Sequence, residues 1–307
     1  MRVVFAGTPD VAAVSLQAVL DSQHEVIAVL TRPDAPAGRG RHEVRSSVGV
    51  LATERGIELL QPVSAKDPEL LARIGALEPD CAPVVAYGGL IPSNLLEVPR
   101  LGWVNVHFSL LPAWRGAAPV QHAIKHGDDI TGVTTFRLDA GMDTGPVYGT
   151  ATEHIRDIDT SGDLMQRLGV VGARLLVDTL DALEAGTLQA VPQVGSSSLA
   201  PKVSVDDARI TWSSPAVAID RHIRSCTPEP GAWTMLGDER LRLGPAAVVR
   251  DAPAMTPGSI APAKHEVLIG TATSPMRLST VQAPGKKAMT AADWARGARL
   301  DSLAVFS

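Results

Sequence analysis

Three polar side chains in the sequence have the types and the spacing needed for chemistry at a carbonyl group. Asn105 and His107 lie in the mainly apolar run 103–107, which predicts a short β-strand. Because side chains alternate across a strand, the Asn105 amide and the His107 imidazole project from the same face. Asp143 lies in the Gly-rich loop 141–145, from which its carboxylate can reach the imidazole and fix its tautomer and orientation. Together the three groups predict polarisation of a carbonyl group and transfer of protons.

The sequence does not favour other kinds of catalytic chemistry. Cys81 and Cys226 stand far apart, with no Cys-x-x-Cys and no clustered His, so neither a zinc site nor a disulfide framework is predicted. The sequence shows no Ser or Cys beside a base, so a covalent acyl intermediate is not predicted. The turn at 6–10 contains one Gly where a dinucleotide fingerprint requires three, so a nicotinamide cofactor is not expected.

The elements that must position these side chains alternate between strand and helix. This alternation is typical of a mostly parallel sheet with helices on both faces, in which ligands bind at the carboxyl ends of the strands. The predicted strands are 2–6, 25–30, 82–87, 103–107, 133–138 and 146–155, and the predicted helices are 10–20, 47–55, 68–77, 119–126 and 163–184. We therefore predict a Rossmann-like α/β catalytic domain over residues 1–188.

The pattern changes after this domain. Residues 189–208 are rich in Pro, Gly and Ser and show no periodic apolar face, which predicts a linker. Residues 209–307 contain a helical pattern at 215–225, followed by short apolar runs separated by Gly and Pro, such as 233–236, 240–243, 267–269 and 277–281. Short strands at this spacing predict a small OB-like β-barrel domain.

Charge and composition set limits on location and partners. At 307 residues, with 45% hydrophobic and 20% charged residues, the chain has the composition of an ordinary globular protein. The first residues lack signal-peptide features, and no window approaches the roughly 18 apolar residues of a membrane span, so we expect a cytoplasmic location. The net charge of −5 opposes nucleic-acid binding, but residues 206–307 hold 12 Lys and Arg against 10 Asp and Glu. Arg39, Arg41 and Arg45 add a local basic loop.

Longer motifs surround the three polar side chains. Asn-Val-His at 105–107 is followed by Ser-Leu-Leu-Pro at 109–112 and Arg-Gly-Ala-Ala-Pro at 115–119, and Asp143 is the centre of Gly-Met-Asp-Thr-Gly. In these motifs the chain resembles the formyltransferase family that uses 10-formyltetrahydrofolate. Further matches extend the resemblance over nearly the whole chain, at residues 5–9, 32–34, 36–40, 86–88, 200–202 and 284–289.

The resemblance implies transfer of a formyl group from N10 of the folate to the α-amino group of methionine on initiator tRNA, without a metal. The amine attacks the formyl carbon directly, and negative charge develops on the formyl oxygen. Asn105 and His107 are expected to stabilise that oxyanion, and one such donor typically changes the rate by roughly 100- to 1,000-fold. Asp143 is expected to assist His107 and proton transfer. Because an α-amino group has a pKa of about 8, positioning should matter more than deprotonation.

The resemblance also implies how the substrates bind. Arg39 and Arg41, with the C-terminal barrel, are implied to bind the tRNA, and we expect a monomer. Phe108 stands where family members often carry Gly, which predicts a bulkier wall of the pocket. The residues implied to bind the folate are Tyr87, Ile91, Ser109, Leu110, Leu111 and Pro112.

Three other functions are compatible with the same polar side chains. A formyltransferase acting on a sugar nucleotide or another small amine would need neither a basic loop nor a barrel that faces nucleic acid. A hydrolase that removes the formyl group from the folate would let water take the place of the amine. The third alternative is an inactive folate- or RNA-binding protein, and the presence of all three polar groups argues against it.

Overall fold

The computed structural model describes residues 1–37, 42–298, 300 and 304–307, and the chain divides into two compact units. The first unit comprises Met1–Pro119, Ile130–His154 and Met165–Ala200, and the second comprises Val120–Asp129, Ile155–Leu164 and Pro201–Ser307. Each unit is therefore assembled from separate stretches of the chain. The contiguous domain boundaries at 188 and 209 stay a prediction.

A mostly parallel sheet lies at the centre of the first unit. The strands up to residue 154 are β1 (Arg2–Gly7), β2 (Glu25–Leu30), β3 (Ala35–Ala37), β4 (His42–Val44), β5 (Glu58–Leu60), β6 (Ala82–Val85), β7 (Trp103–His107), β8 (Ile130–Arg137) and β9 (Val147–His154). The order in the sheet is β5-β2-β1-β6-β7-β8-β9, in which β8 is antiparallel to both of its neighbours and all other neighbouring pairs are parallel. β3 and β4 form a separate antiparallel hairpin. The predicted Rossmann-like, mostly parallel sheet is confirmed.

The helices are α1 (Asp10–Leu20), α2 (Ser47–Glu54), α3 (Pro68–Leu77), α4 (Ser93–Leu96), α5 (Pro119–His126), α6 (Ser161–Glu184), α7 (Ala216–Ser225) and α8 (Ala291–Ala298). All lie within two residues of their predicted positions except α4 and α8, where no helix is predicted. The start of α3 is fixed locally, because Asp67 accepts a hydrogen bond from Glu69 N at 2.9 Å and Pro68 occupies the first turn. Among the described residues, no helix has both the length and the apolar character needed to cross a membrane.

The strands that position the polar side chains are buried in the middle of the first sheet. All residues of β6 are buried, and β7 buries Trp103 completely. Both faces of these strands are covered, as expected for a parallel sheet between helices. The predicted strand 82–87 ends at Val85 because Ala86 adopts a left-handed conformation with φ +46°, so Tyr87 lies in the loop that follows.

The second unit contains antiparallel β structure, which confirms that a small β domain follows the first. Its strands are β10 (Trp233–Leu236), β11 (Glu239–Leu243), β12 (Ala246–Val248), β13 (Ile260–Pro262), β14 (Val267–Ile269), β15 (Met276–Leu278), β16 (Thr280–Gln282) and β17 (Met289–Thr290). Among the described residues they form two sheets, in the orders β10-β11-β16-β17 and β12-β15-β14-β13. The strand predicted at 277–281 is divided between β15 and β16. The edges of the two sheets are joined by Val305, which pairs with Ser259, and by Phe306, which pairs with Leu236.

Residues from an early stretch of the chain complete the second unit. At the start of α6, Ser161 Oγ donates a hydrogen bond to Thr227 O at 2.7 Å, and Gly162 N donates to the same oxygen at 3.1 Å. The buried Arg224 of α7 donates from Nη1 to Asp159 O at 3.0 Å. Polar groups of this stretch are therefore satisfied by residues about 65 positions later in the chain.

Candidate active site

Asn105 and His107 project from one face of β7, because they are two residues apart in a regular strand. His107 is buried at the end of the strand, whereas Asn105 is half-buried. The His107 ring meets Phe136 of β8 edge-on, with ring centroids 6.4 Å apart and an angle of 84° between the ring planes. This contact restricts the plane of the imidazole.

One hydrogen bond determines the tautomer of His107. Its Nε2 atom lies 2.8 Å from the carbonyl oxygen of Trp114, and because a carbonyl oxygen can only accept, Nε2 carries the proton and donates it. In the neutral ring, Nδ1 then holds the lone pair and lies 3.7 Å from Asp143 Oδ2, which is too far for a hydrogen bond. The expectation that Asp143 fixes the tautomer is therefore wrong. The Trp114 carbonyl oxygen fixes it, and Asp143 acts as a nearby charge.

Burial determines the charge of His107. Removal of the ring from water lowers the pKa of His107 below its ordinary value of 6.5. The Asp143 carboxylate and the hydrogen bond to Trp114 O act in the opposite direction, but they do not outweigh burial. The imidazole is therefore neutral near pH 7. A neutral ring with its lone pair on Nδ1 can accept a proton, and the nearby carboxylate stabilises the resulting cation.

Asp143 is held by the loop between β8 and β9. Its Oδ2 atom accepts a hydrogen bond from Gly116 N at 2.7 Å, which ties the carboxylate to the loop that follows β7. The backbone of Asp143 is left-handed, with φ +52°, and so is that of Trp114, with φ +59°. Such conformations cost of order 1–3 kcal/mol and persist only where surrounding contacts enforce them. Gly145 shows how tightly the loop is packed, because a Cβ there would lie 1.7 Å from Arg137 O.

Part of the predicted linker holds the loop that carries Trp114. Ser198 O accepts a hydrogen bond from Arg115 N at 2.9 Å, and Ser198 Oγ accepts one from Trp114 N at 2.8 Å. Ala200 N donates to Arg115 O at 2.7 Å, so both backbone groups of Arg115 are paired with this segment. This part of the predicted linker is therefore packed onto the loop that follows β7. It belongs to the first unit and holds the loop of Trp114, whose carbonyl oxygen accepts the hydrogen bond from His107 Nε2.

The residues predicted to bind the folate follow β6 and β7, which are neighbours in the sheet. Tyr87 is buried, and Ile91 and residues 110–112 are half-buried. An apolar surface at the carboxyl ends of neighbouring parallel strands fits the flat ring system of a folate. The Ser109 hydroxyl has a different task, because it is buried and donates a hydrogen bond to Ala113 O at 2.5 Å. It shapes the loop from within.

Two further predictions concern Phe108 in the wall of the pocket and the tRNA-binding residues Arg39 and Arg41. Phe108 is buried, and its ring lies beside Val106, where both side chains approach Gly172 of α6. Since Val106 projects from the face of β7 opposite to His107, the expectation that Phe108 forms a bulkier wall of the pocket is wrong. Arg39 and Arg41, predicted to bind tRNA, lie outside the described residues.

Sequence reasoning missed the groups that support the three polar side chains. The Trp114 carbonyl oxygen and Gly116 N are backbone groups, so the residue type at these positions does not predict their roles. Gln193 lies in the predicted linker, yet its side chain contacts both the loop of Asp143 and Arg115. Its one sequence signal is a polar amide in a stretch rich in small residues, which is too common to assign a role.

The described residues offer no alternative catalytic group of the metal or thiol kind. No cluster of three or more His, Cys, Asp or Glu side chains among them is arranged to hold a metal ion. Cys81 and Cys226 are buried free thiols, and burial raises the pKa of Cys81 to about 12. A thiol with that pKa stays protonated near neutral pH and is a poor nucleophile.

Both halves of the chain match known protein families. Residues 1–180 match the formyl transferase family, and residues 202–299 match the formyl transferase C-terminal domain. A methionyl-tRNA formyltransferase of Rhodococcus erythropolis is 60% identical over 98% of this chain and 98% of its own length. The enzyme of the same name from Thermobifida fusca is 58% identical over 98% of this chain and 97% of its own length.

Solved structures share the fold at low sequence identity. The methionyl-tRNA formyltransferase from Clostridium thermocellum has a TM-score of 0.58 at 16% identity and covers 82% of this chain and 95% of its own. HypX from Aquifex aeolicus in complex with tetrahydrofolic acid has a TM-score of 0.66 at 17% identity and covers 96% of this chain and 47% of its own. These structures agree with the fold, and the sequence matches go further. On the match of both of its parts, the chain belongs to the formyl transferase family.

Proposed function

We propose that this chain transfers the formyl group of 10-formyltetrahydrofolate to the α-amino group of methionyl initiator tRNA, which yields the formylated tRNA used in translation initiation. Relatives 58 and 60% identical over nearly their full length carry the name of this enzyme. The observation that carries the proposal is the position of the Asp143 carboxylate, whose Oδ2 lies 3.7 Å from His107 Nδ1. Asn105 lies on the same strand as His107 and on the same face. Because translation is a cytoplasmic process, the proposed activity also assigns the chain to the cytoplasm.

The folate, when bound, supplies a formyl group that is already activated for transfer on N10. The side chains we assign to its binding are aliphatic or aromatic and follow two neighbouring strands, namely Tyr87, Ile91, Leu110, Leu111 and Pro112. Ser109 keeps the second of these loops in shape through its hydrogen bond to Ala113 O. An apolar pocket with backbone polar groups at its edge suits a flat heterocycle.

Asn105 is the group we assign to the developing oxyanion. Its side chain makes no hydrogen bond within the part of the chain that the structure describes, although it is half-buried. A half-buried amide with no internal partner has both N–H groups available for a ligand. As the amine attacks the formyl carbon, the formyl oxygen gains negative charge, and Asn105 donates to that oxygen.

His107 is the group we assign to the proton that the attacking amine loses. The neutral ring accepts this proton on Nδ1, while Nε2 keeps its hydrogen bond to Trp114 O. The imidazolium that forms is stabilised by the Asp143 carboxylate and adds positive charge near the oxyanion. When the bond between the formyl carbon and N10 breaks, the same proton neutralises N10, so the imidazole returns to its neutral form.

The tRNA partner is supported by a basic cluster on the second unit. The guanidinium carbons of Arg209 and Arg240 lie 5.6 and 5.5 Å from the centre of the Trp233 ring. Both arginines are exposed, and within the described residues neither has an ion-pair partner. Cations held in place by an aromatic ring, with no carboxylate to neutralise them, suit the phosphates of a nucleic acid. We propose that this Trp233 cluster binds the tRNA together with Arg39 and Arg41.

Replacing both Arg209 and Arg240 with Ala is expected to raise KM for charged tRNA several-fold and to leave KM for the folate unchanged. The slope of the logarithm of tRNA affinity against the logarithm of salt concentration should become shallower by roughly one for each phosphate that the protein no longer neutralises. Arg277→Ala is the matched control, because Arg277 lies on the same unit but is paired with Glu266. Binding titrations at several salt concentrations make the comparison. An equal loss of affinity in the control would count against the cluster.

The proposed reaction is tested with purified protein, 10-formyltetrahydrofolate and methionyl initiator tRNA. We expect formylmethionyl-tRNA to form without added metal, nucleotide or reducing agent, because the acyl group is already activated. Uncharged tRNA should accept nothing, since it lacks the methionyl amine. Formate release at the same rate with and without tRNA would instead indicate a hydrolase. Transfer to an amino sugar nucleotide but not to charged tRNA would indicate the small-substrate enzyme.

A further inference from the structure

Gln193 connects the two loops that control the surroundings of His107. Its Nε2 atom donates hydrogen bonds to Asp143 O at 2.8 Å and to Gly145 O at 2.9 Å, both in the loop between β8 and β9. Its Oε1 atom accepts hydrogen bonds from Nε and Nη2 of Arg115, at 3.2 and 2.6 Å. Arg115 directly follows Trp114, whose carbonyl oxygen accepts the hydrogen bond from His107 Nε2. One side chain therefore links both loops.

The chemistry of these partners leaves one orientation for the Gln193 amide. A guanidinium can only donate and a backbone carbonyl can only accept, so the oxygen must face Arg115 and the nitrogen must face the two carbonyls. Both N–H donors and both lone pairs of the amide are used. A fully satisfied amide between two loops holds them at a fixed separation.

The contacts of Gln193 fall on the strained part of the site. Asp143 has a left-handed backbone, and its own carbonyl oxygen is one of the two that Gln193 binds. Its carboxylate in turn accepts from Gly116 N and faces His107. A strained residue keeps its conformation only while neighbouring contacts enforce it. Gln193 supplies two such contacts, on Asp143 and on Gly145.

We propose that Gln193 is a positioning residue for formyl transfer, which holds the Asp143 carboxylate beside His107 and the Trp114 carbonyl oxygen in place. This proposal rests on the function proposed above. Within the described residues Gln193 makes no hydrogen bond to Asn105 or His107, so its effect passes through Asp143 and Arg115. In its absence the Asp143 backbone relaxes, and the carboxylate moves away from both Gly116 N and His107.

Gln193→Leu, which removes all four hydrogen bonds without adding charge, is expected to lower kcat roughly 10-fold or more, with KM for both substrates within about twofold, because misplacement of a catalytic group acts on the chemical step. Gln193→Glu keeps the acceptor for Arg115 but loses both donors to the Asp143 loop. It should be as slow as Gln193→Leu. Activity near that of the wild type in Gln193→Glu would overturn the proposal, because it would reduce Gln193 to a partner of Arg115.

A second readout separates positioning from a general structural role. The pKa of His107, followed by NMR and assigned by comparison with His107→Asn, should fall in Gln193→Leu, because the Asp143 carboxylate that raises it has moved away. Gln189→Leu and Gln189→Glu are the controls, since Gln189 is exposed in the same segment and its side chain makes no hydrogen bond within the described residues. An unchanged His107 pKa in Gln193→Leu would overturn the proposal.

Two safeguards keep the test decisive. If Gln193→Leu does not fold, as judged by thermal unfolding, Gln193→Met keeps the length of the side chain and carries the same expectation. If the wild-type protein does not formylate methionyl-tRNA, the proposed function fails, while the pKa of His107 still reports whether Gln193 positions Asp143.

Discussion

Replacing either Asn105 or His107 with Ala is expected to lower kcat for formyl transfer by roughly 100-fold or more. This corresponds to about 2.7 kcal/mol of lost transition-state stabilisation. Asn105 acts on an oxygen that is charged only in the transition state, and His107 accepts a proton that leaves only as the new bond forms. KM for the folate and for the tRNA should therefore change little.

Single-turnover kinetics with saturating substrates measure this effect. Asn94→Ala and His265→Ala are matched controls of the same residue types, and both residues are exposed. Thermal unfolding of each variant shows whether the fold is intact. A variant of Asn105 or His107 that kept more than about a tenth of the wild-type kcat would contradict the role assigned to that residue.

Asp143→Asn is expected to lower kcat by roughly 100-fold as well, for a different reason. The amide oxygen of Asn can still accept the hydrogen bond from Gly116 N, so the loop keeps its shape. The negative charge beside Nδ1 is lost, and the imidazolium formed when the amine gives up its proton is no longer stabilised.

The pH profile of this variant carries a predicted sign. The Asp143 carboxylate raises the pKa of His107, against the larger lowering caused by burial. Its removal should lower that pKa further. Because the neutral imidazole is the proton acceptor, the rate falls as pH drops through the pKa, so the acid limb of kcat against pH should move to lower pH. A limb that stays in place or moves to higher pH would contradict the charge effect.

Much of the first unit follows from local pattern. The alternation of apolar strands with amphipathic helices predicts the mostly parallel sheet, and the period of two within β7 predicts that Asn105 and His107 share a face. Asp143 is predicted near His107 because of its Gly-rich loop, and the structure brings their side chains to 3.7 Å. The first two of these inferences depend on residues close together in the sequence, whereas the third joins residues 36 positions apart.

What the sequence does not reveal depends on contacts between distant residues. The tautomer of His107 is determined by a backbone oxygen, which any residue at position 114 would carry. The hydrogen bond from Trp114 N to Ser198 Oγ joins residues 84 positions apart, and no periodic pattern in the sequence predicts it. The division of the predicted strand 277–281 between two sheets likewise depends on where neighbouring strands lie. Propensity and period carry no information about such partners.

The discontinuous make-up of the second unit has a consequence for synthesis on the ribosome. The stretch at 155–164 emerges long before Arg224 and Thr227, which satisfy the carbonyl of Asp159 and the polar groups at the start of α6. When the last strand of the first unit has been synthesised, Arg224 and Thr227 have not yet been made. Two stretches of the second unit, Val120–Asp129 and Ile155–Leu164, are therefore synthesised before the rest of their unit, whereas domains that are continuous in sequence fold one after another as they emerge.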